Sequence, residues 1–184
     1  MGITEKKKKE LYDFYLENGF NHSVSTISKA LSISDKTFFN RYVNKSSSVD
    51  IAWDYWQELI ARKWTEVRLN CNNAIEELVV FLYVIKQSKA EETYYYYYSL
   101  KNSKFLHNDS FFKKTIKSII LRCKQKFYVH EHLNSDIFTD FLLNNIFFID
   151  AEIDKRPEFL EYVLSAALTE RGRELFKETP FANH

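Results

Sequence analysis

The chain of 184 residues has almost none of the residues that punctuate loops: 3 glycines and 2 prolines. That scarcity excludes collagen-like and loop-dominated chains and most all-β architectures, which need such residues at their turns. With glycine only at positions 2, 19 and 172, no glycine-rich phosphate loop can form. The 2 cysteines, Cys71 and Cys123, lie far apart without metal-ligand spacing, so a disulfide framework is excluded and a reducing cytoplasm is expected. Long apolar runs are absent too. The longest, Leu78 to Ile85, is too short to span a bilayer. The stretch from Met1 to Glu10 is charged and lacks the apolar centre of a secretion signal, so no membrane partner is expected. Net charge is small: 26 Lys+Arg against 25 Asp+Glu leaves +1. Such a balance excludes a disordered polyelectrolyte and a protein that coats nucleic acid by bulk charge. A chain this long buries roughly 70% of its unfolded surface without staples.

What the sequence does have is aromatic content and helical period. Aromatics reach 17%, with 16 Phe, 12 Tyr and 3 Trp. Segments 5–18, 24–31, 35–41 and 47–68 read as helices, followed by 72–88, 91–102, 109–133, 136–151 and 157–177. Ser23 and Ser34 are expected N-caps, Ser47 with Asp50 has capping-box-like spacing, and Asp109 and Ser135 or Asp136 are further caps. Pro157 suits a first helical turn. Leu11, Phe14, Tyr15 and Asn18 share one face of the first helix; Val24, Ile27, Ala30 and Leu31 point inward from the second. In the long helix Trp53, Trp56, Ile60, Trp64 and Val67 form one stripe, read first as packing and second as a ligand-gripping face. The expected fold class is all-α: an N-terminal three-helix unit over residues 1–48, then a larger helical body over 49–184.

Charge divides along the same line. Residues 1–49 hold 8 Lys+Arg and 5 Asp+Glu, a net of +3; the other 135 hold 18 and 20, a net of −2. Two short helices joined by a tight turn, the second with Ile33, Phe38 and Tyr42 inside and Asp35, Lys36, Thr37, Asn40 and Arg41 outside, describe a helix-turn-helix. The run Ile27-Ser28-Lys29-Ala30-Leu31-Ser32-Ile33-Ser34-Asp35-Lys36-Thr37-Phe38-Phe39-Asn40-Arg41-Tyr42-Val43-Asn44-Lys45 resembles the DNA-binding domain of the TetR family of transcriptional regulators. It tracks the pattern I-A-x-x-A-G-V-S-x-G-T-L-Y-x-H-F-x-x-K without a gap. Phe14, Gly19 and Ser23-Val24 also fall where that family places F, G and T-V.

The departures are specific. Ser32 replaces the turn glycine, so the turn must strain or change. Lys36 replaces a second glycine and adds a cation. Phe39 replaces an aromatic hydroxyl, losing a phosphate bond but offering a ring to a thymine methyl, and Arg41 replaces a histidine. The resemblance implies that Ser23, Asn40, Arg41 and Lys45 contact phosphates of double-stranded operator DNA. It implies that Ser25, Asp35, Lys36 and Thr37 face base edges, and Phe39 joins the DNA-contact candidates through its own ring. Alone, Lys36 and Arg41 would be an ordinary solvated face. The lysines Lys6 to Lys9 read equally as a solvated helix start or an arm near the DNA backbone.

For the body, the resemblance implies a homodimer that uses the last two long helices and a pocket for a small molecule. The dimerisation candidates are Phe138, Phe141, Leu142, Phe147, Leu160, Val163, Leu164 and Ala167. Segment 138–149 is apolar on most sides, which favours a second subunit. Five consecutive tyrosines, Tyr94 to Tyr98, cover every side of a helix. The candidate lining of a pocket for an apolar or amphipathic ligand is Trp64, Phe81, Tyr94, Tyr95, Tyr97, Tyr98, Phe112 and Ile116, all equally suited to a packed core. His130-Glu131-His132 is not a zinc-finger spacing, and Glu76-Glu77 and Glu91-Glu92 read as solvated acids without a nucleophile. No catalytic residue, metal or cofactor is expected. The expectation is a cytoplasmic repressor released from its operator by a small ligand. Two rivals remain: a DNA-binding regulator answering to a protein partner, and a helical enzyme or stress protein that contains a helix-turn-helix-like hairpin.

Overall fold

A computed structural model describes residues 3–92, 94, 95, 98, 102, 104–148 and 158–179; the side chains of 89–91, 105, 146–148 and 158–161 lie outside the description. Among the described residues every regular element is a helix. They are α1 (Glu5–Asn18), α2 (Val24–Ala30), α3 (Asp35–Tyr42), α4 (Lys45–Arg68), α5 (Ala74–Glu91), α6 (Phe111–Gln125), α7 (Ser135–Phe148), α8 (Glu158–Ser165) and α9 (Glu170–Lys177), with a 3-10 turn at Lys104–Leu106. The all-α class is as expected. None of these helices is long and apolar enough to cross a membrane. The chain forms two compact units, Met1–Arg62 with Ser88–Tyr98, and Lys63–Gln87 with Ser99–His184.

In the first unit Leu11, Phe14 and Tyr15 of α1, Ile27 of α2, Phe38 and Tyr42 of α3, and Trp53, Trp56 and Ile60 of α4 are buried. Burial of Trp53, Trp56 and Ile60 here, and of Trp64 in the other unit, makes the α4 stripe packing. Two inward assignments change: Asn18 and Ala30 are exposed, while Tyr12 and Ser28 are buried. Tyr12 turns in because its hydroxyl donates to Glu92 Oε1 at 3.0 Å. Glu92 is itself buried and accepts from Trp56 Nε1 at 3.0 Å, so it is no solvated acid. Helix α4 starts at Lys45 rather than 47 because Asn44, not Ser47, caps it: Asn44 Oδ1 accepts from the Ser47 N–H at 2.8 Å.

In the second unit Phe112, Ile116, Ile119, Ile120 and Cys123 bury one face of α6, which packs on α7, where Phe138, Leu142 and Leu143 are buried. Salt bridges Lys113–Asp140 (2.7 Å) and Lys117–Asp136 (2.6 Å) flank that contact. Glu77 of α5 accepts from the Arg122 guanidinium of α6 and lies 3.2 Å from Arg68 Nε of α4. Glu76 is buried too, taking the Asn72 N–H at 2.7 Å. The caps expected at Asp109 and at Ser135 or Asp136 sit one residue away: Ser110 accepts from Lys113 N–H (3.1 Å), and Asn134 Oδ1 from Asp136 and Ile137 N–H (3.0 and 3.1 Å). Pro157, half of 91–102 and residues 149–151 lie outside the described residues.

Two long helices expected from periodicity are broken. Segment 109–133 stops at Gln125, where Phe127 takes φ 57 and its N–H bonds to Lys124 O (3.0 Å) while Tyr128 N–H reaches Cys123 O (2.9 Å). That pair of bonds is a Schellman closure, here without glycine. Segment 157–177 is two helices, α8 and α9. Between them His130 N–H bonds to Ala167 O and Thr169 N–H to Tyr128 O, both at 3.0 Å, making an isolated bridge of Val129 with Leu168. Thr169 then caps α9 through Gly172 N–H at 3.2 Å. A Cβ on Gly172 would stand 2.0 Å from Tyr128 O, so only glycine fits there.

Candidate nucleic-acid interface

Helices α2 and α3 are held by two identical local devices. Ser23 Oγ accepts from Thr26 N–H at 3.2 Å, and Ser34 Oγ from Thr37 N–H at 3.1 Å. Both expected caps are therefore formed. The turn between the helices is another Schellman closure: Ser32 N–H to Lys29 O (3.1 Å) and Ile33 N–H to Ser28 O (2.9 Å). Ser32 adopts φ 54 where the resemblance expects glycine, so the turn keeps its shape and Ser32 carries the strain. At the far end of α3, Val43 has φ 66 and ψ −56, with Asn44 N–H on Tyr42 O at 2.7 Å. This is a γ-turn of the rare positive-φ kind, and it swings the chain into α4.

These devices decide which side chains face outward. Phe38 (0% exposed) and Tyr42 (1%) anchor α3 to the unit, with ring centroids 5.1 Å apart. Ser23, Ser25, Asp35, Lys36, Asn40 and Phe39 are exposed; Thr37, Arg41 and Lys45 are half-buried. The Thr37 and Ser34 hydroxyls lie 2.9 Å apart, so Thr37 shares the cap. Lys45 opens α4, where the first-turn amides point toward any bound anion. Ile33 is half-buried rather than fully inside. Among the lysines of α1, Lys8 pairs with Glu58 (2.7 Å) and Lys9 with Asp13 (2.6 Å), which places both charges against carboxylates of the protein.

The ligand and dimer candidates are distributed unevenly. Trp64, Phe81, Phe112 and Ile116 are buried in the second unit; the Trp64 and Phe81 centroids are 4.9 Å apart. Tyr95 is buried in the first unit, stacked on Tyr12 (5.0 Å) and Trp56 (6.0 Å), and its hydroxyl donates to Tyr12 O at 2.9 Å. Burial raises the ionisation of Tyr95 far above the phenol range, and desolvation with Glu92 does the same for Tyr12. Tyr98 is half-buried, donating to Asp50 Oδ1 at 3.1 Å; Tyr94 is exposed beside Gly19. Tyr97 lies outside the described residues. Of the dimer candidates, Phe138, Phe141, Val163 and Ala167 line one cleft of 430 Å³ with Tyr162 and Asn145. Phe141 is 45% exposed and Tyr162 80%, whereas Phe138, Val163, Ala167, Leu142 and Leu164 are buried. The side chains of Phe147 and Leu160 lie outside the description.

The residue that sequence reasoning missed is Glu92, which ties the tyrosine run to α1 and α4. Its partner Tyr12 is 80 residues away, and no local spacing signals such a pair. His130 and His132 stack at 5.5 Å, and no group of three metal-ligating side chains occurs among the described residues.

No family model and no curated protein matches the sequence. Solved structures do. The ketosteroid transcriptional regulator KstR2 of Mycobacterium tuberculosis matches with a TM-score of 0.60 at 13% identity, over 92% of this chain and 98% of that one. The structure of RolR without ligand matches with a TM-score of 0.66 at 13% identity, over 93% and 95%. The chain thus has the fold of the TetR-type regulators, as the helix-turn-helix residues led one to expect.

Proposed function

We propose that this chain is a DNA-binding transcriptional regulator that works as a homodimer, with residues 1–48 as its DNA-binding part and 49–184 as its regulatory and dimerising part. The observation that carries the reading is the split of α3: Phe38 and Tyr42 buried, and Asp35, Lys36, Phe39 and Asn40 exposed together on its outer side. A helix presented that way enters a major groove with its first residues at the base edges. Lys36 donates to guanine and Asp35 accepts from cytosine. Ser23, Asn40, Arg41 and Lys45 hold phosphates and set the register. Two such units on a dimer span half-sites about 34–36 Å apart.

The cleft lined by Phe138, Phe141, Tyr162, Val163 and Ala167 supplies the apolar surface for the second subunit. A small apolar or amphipathic molecule that favours a different spacing of the two reading helices would shift the dimer away from its operator, giving repression relieved by ligand. The test is selection of bound DNA from a genomic pool by the full-length protein. A pseudo-palindromic consensus is expected. The triple variant Lys36→Ala, Arg41→Ala, Lys45→Ala should weaken binding about a hundredfold and flatten its salt dependence by about two phosphate contacts per subunit. Unchanged affinity and salt slope would overturn the reading.

A further inference from the structure

We propose that Phe39 reads the C5-methyl group of a thymine in each operator half-site; this rests on the DNA-binding reading above. Phe39 is 49% exposed on a helix face that carries Asp35, Lys36 and Asn40, with Val43 exposed at the helix end. Its ring is not loose. It stands edge-on to Phe38 at 5.9 Å and 90°, and Phe38 is fully buried against Tyr42. The fold therefore holds an apolar ring outward in a set orientation, so its ordering cost is met before DNA arrives.

The major groove decides what that ring can meet. Purine N7, guanine O6, adenine and cytosine amino groups and thymine O4 are all polar, and covering any of them with a phenyl ring leaves a donor or acceptor unpaired. The single apolar group on that surface is the pyrimidine C5-methyl, carried by thymine. Burying it against Phe39 removes two apolar surfaces from water and strands no polar atom. Lys36, three residues earlier on the same helix, leaves its ammonium free to reach an adjacent guanine or phosphate, which fixes the position of the ring along the groove. The shared chemistry of thymine and 5-methylcytosine makes the methyl, not the base, the recognised group.

The experiment uses the full-length protein and the duplex it selects. Each thymine is replaced in turn by deoxyuridine, which deletes the methyl and keeps the base pair. At one symmetry-related pair of positions affinity should fall about fourfold per half-site, the factor for one methylene-sized apolar group. Putting cytosine there should bind more weakly than 5-methylcytosine. Phe39→Ala, checked for an unchanged melting temperature, should lose the same affinity on the thymine duplex and become indifferent to deoxyuridine. Phe39→Leu should keep part of the discrimination. If the protein binds a defined operator yet deoxyuridine is tolerated everywhere, or if Phe39→Ala still discriminates, the methyl assignment is overturned while the regulator reading stands. If no DNA is enriched, both fall.

Discussion

In the unit of residues 1–62 and 88–98, several buried rings carry polar tips that are matched, though the buried Tyr42 hydroxyl is not. Tyr12 and Trp56 meet at Glu92, Tyr95 reaches the Tyr12 carbonyl, and the Tyr15 hydroxyl lies 2.7 Å from Ser48 Oγ. In the unit of residues 63–87 and 99–184, the buried centre is mostly hydrocarbon: Phe81, Phe112, Ile116, Ile119, Leu142 and Leu164. Its polar bonds cluster around Glu77 and at the bridge of Val129 with Leu168. The first core is specified by hydrogen-bond matching, where a misplaced ring leaves a buried group unpaired. The second is specified by shape and by one close backbone approach. The first kind of core fixes the orientation of α3, whereas the hydrocarbon of the second repacks at lower cost.

The comparison breaks most sharply at Gly172. Gly172→Ala sets a Cβ against the Tyr128 carbonyl, which is itself committed to Thr169 N–H. We expect a loss of about 3 kcal/mol, read from urea unfolding of the full chain. A variant as stable as the parent would mean the bridge moves freely.

Next comes Glu92. Glu92→Leu keeps the volume and strands the Tyr12 hydroxyl and the Trp56 N–H in the core, an expected loss of about 2 kcal/mol. Glu92→Gln retains an acceptor and should lose about 1 kcal/mol. Equal melting temperatures for the two variants would show that the first core is specified by volume after all.

The smallest effect is alkaline. The folded ionisations of Tyr12 and Tyr95 lie above the phenol value, so the unfolded chain releases its protons first. Stability is therefore fully present below the unfolded value near pH 10 and falls above it, by about 1 kcal/mol per buried tyrosine between about pH 10 and 11. The part of the tyrosinate absorbance that Tyr12→Phe and Tyr95→Phe remove should rise together with unfolding rather than before it. Cys71 and Cys123, pushed up by burial to about 11 and about 12, give the same sign from about pH 9 in the other unit. Cys71→Ser with Cys123→Ala separates the two contributions.

Local chemistry was legible beforehand. Ser23 and Ser34 cap α2 and α3 through bonds only three residues long, and the α4 stripe needs nothing but the helical period to predict its burial. The helix-turn-helix was readable for the same reason. Where two local signals competed, reading was less secure: Asn44 and Ser47 are both good caps, and Asn44 wins because its oxygen reaches the Ser47 N–H. The breaks after Gln125 and before Glu170 carried no glycine or proline. Phe127 takes the left-handed position unaided, and a bridge to a segment about 40 residues away holds both ends.

Composition and periodicity by themselves determined an all-helical chain and a basic amino-terminal unit on a slightly acidic remainder. Such properties follow from bonds and spacings of three or four residues, which every sequence displays openly. Only the tertiary structure decided that Glu92 and Tyr95 belong to the core of the amino-terminal unit and that the Phe39 ring stands edge-on to Phe38. The first outcome depends on contacts across tens of residues and the second on how two rings pack. No periodic pattern carries either.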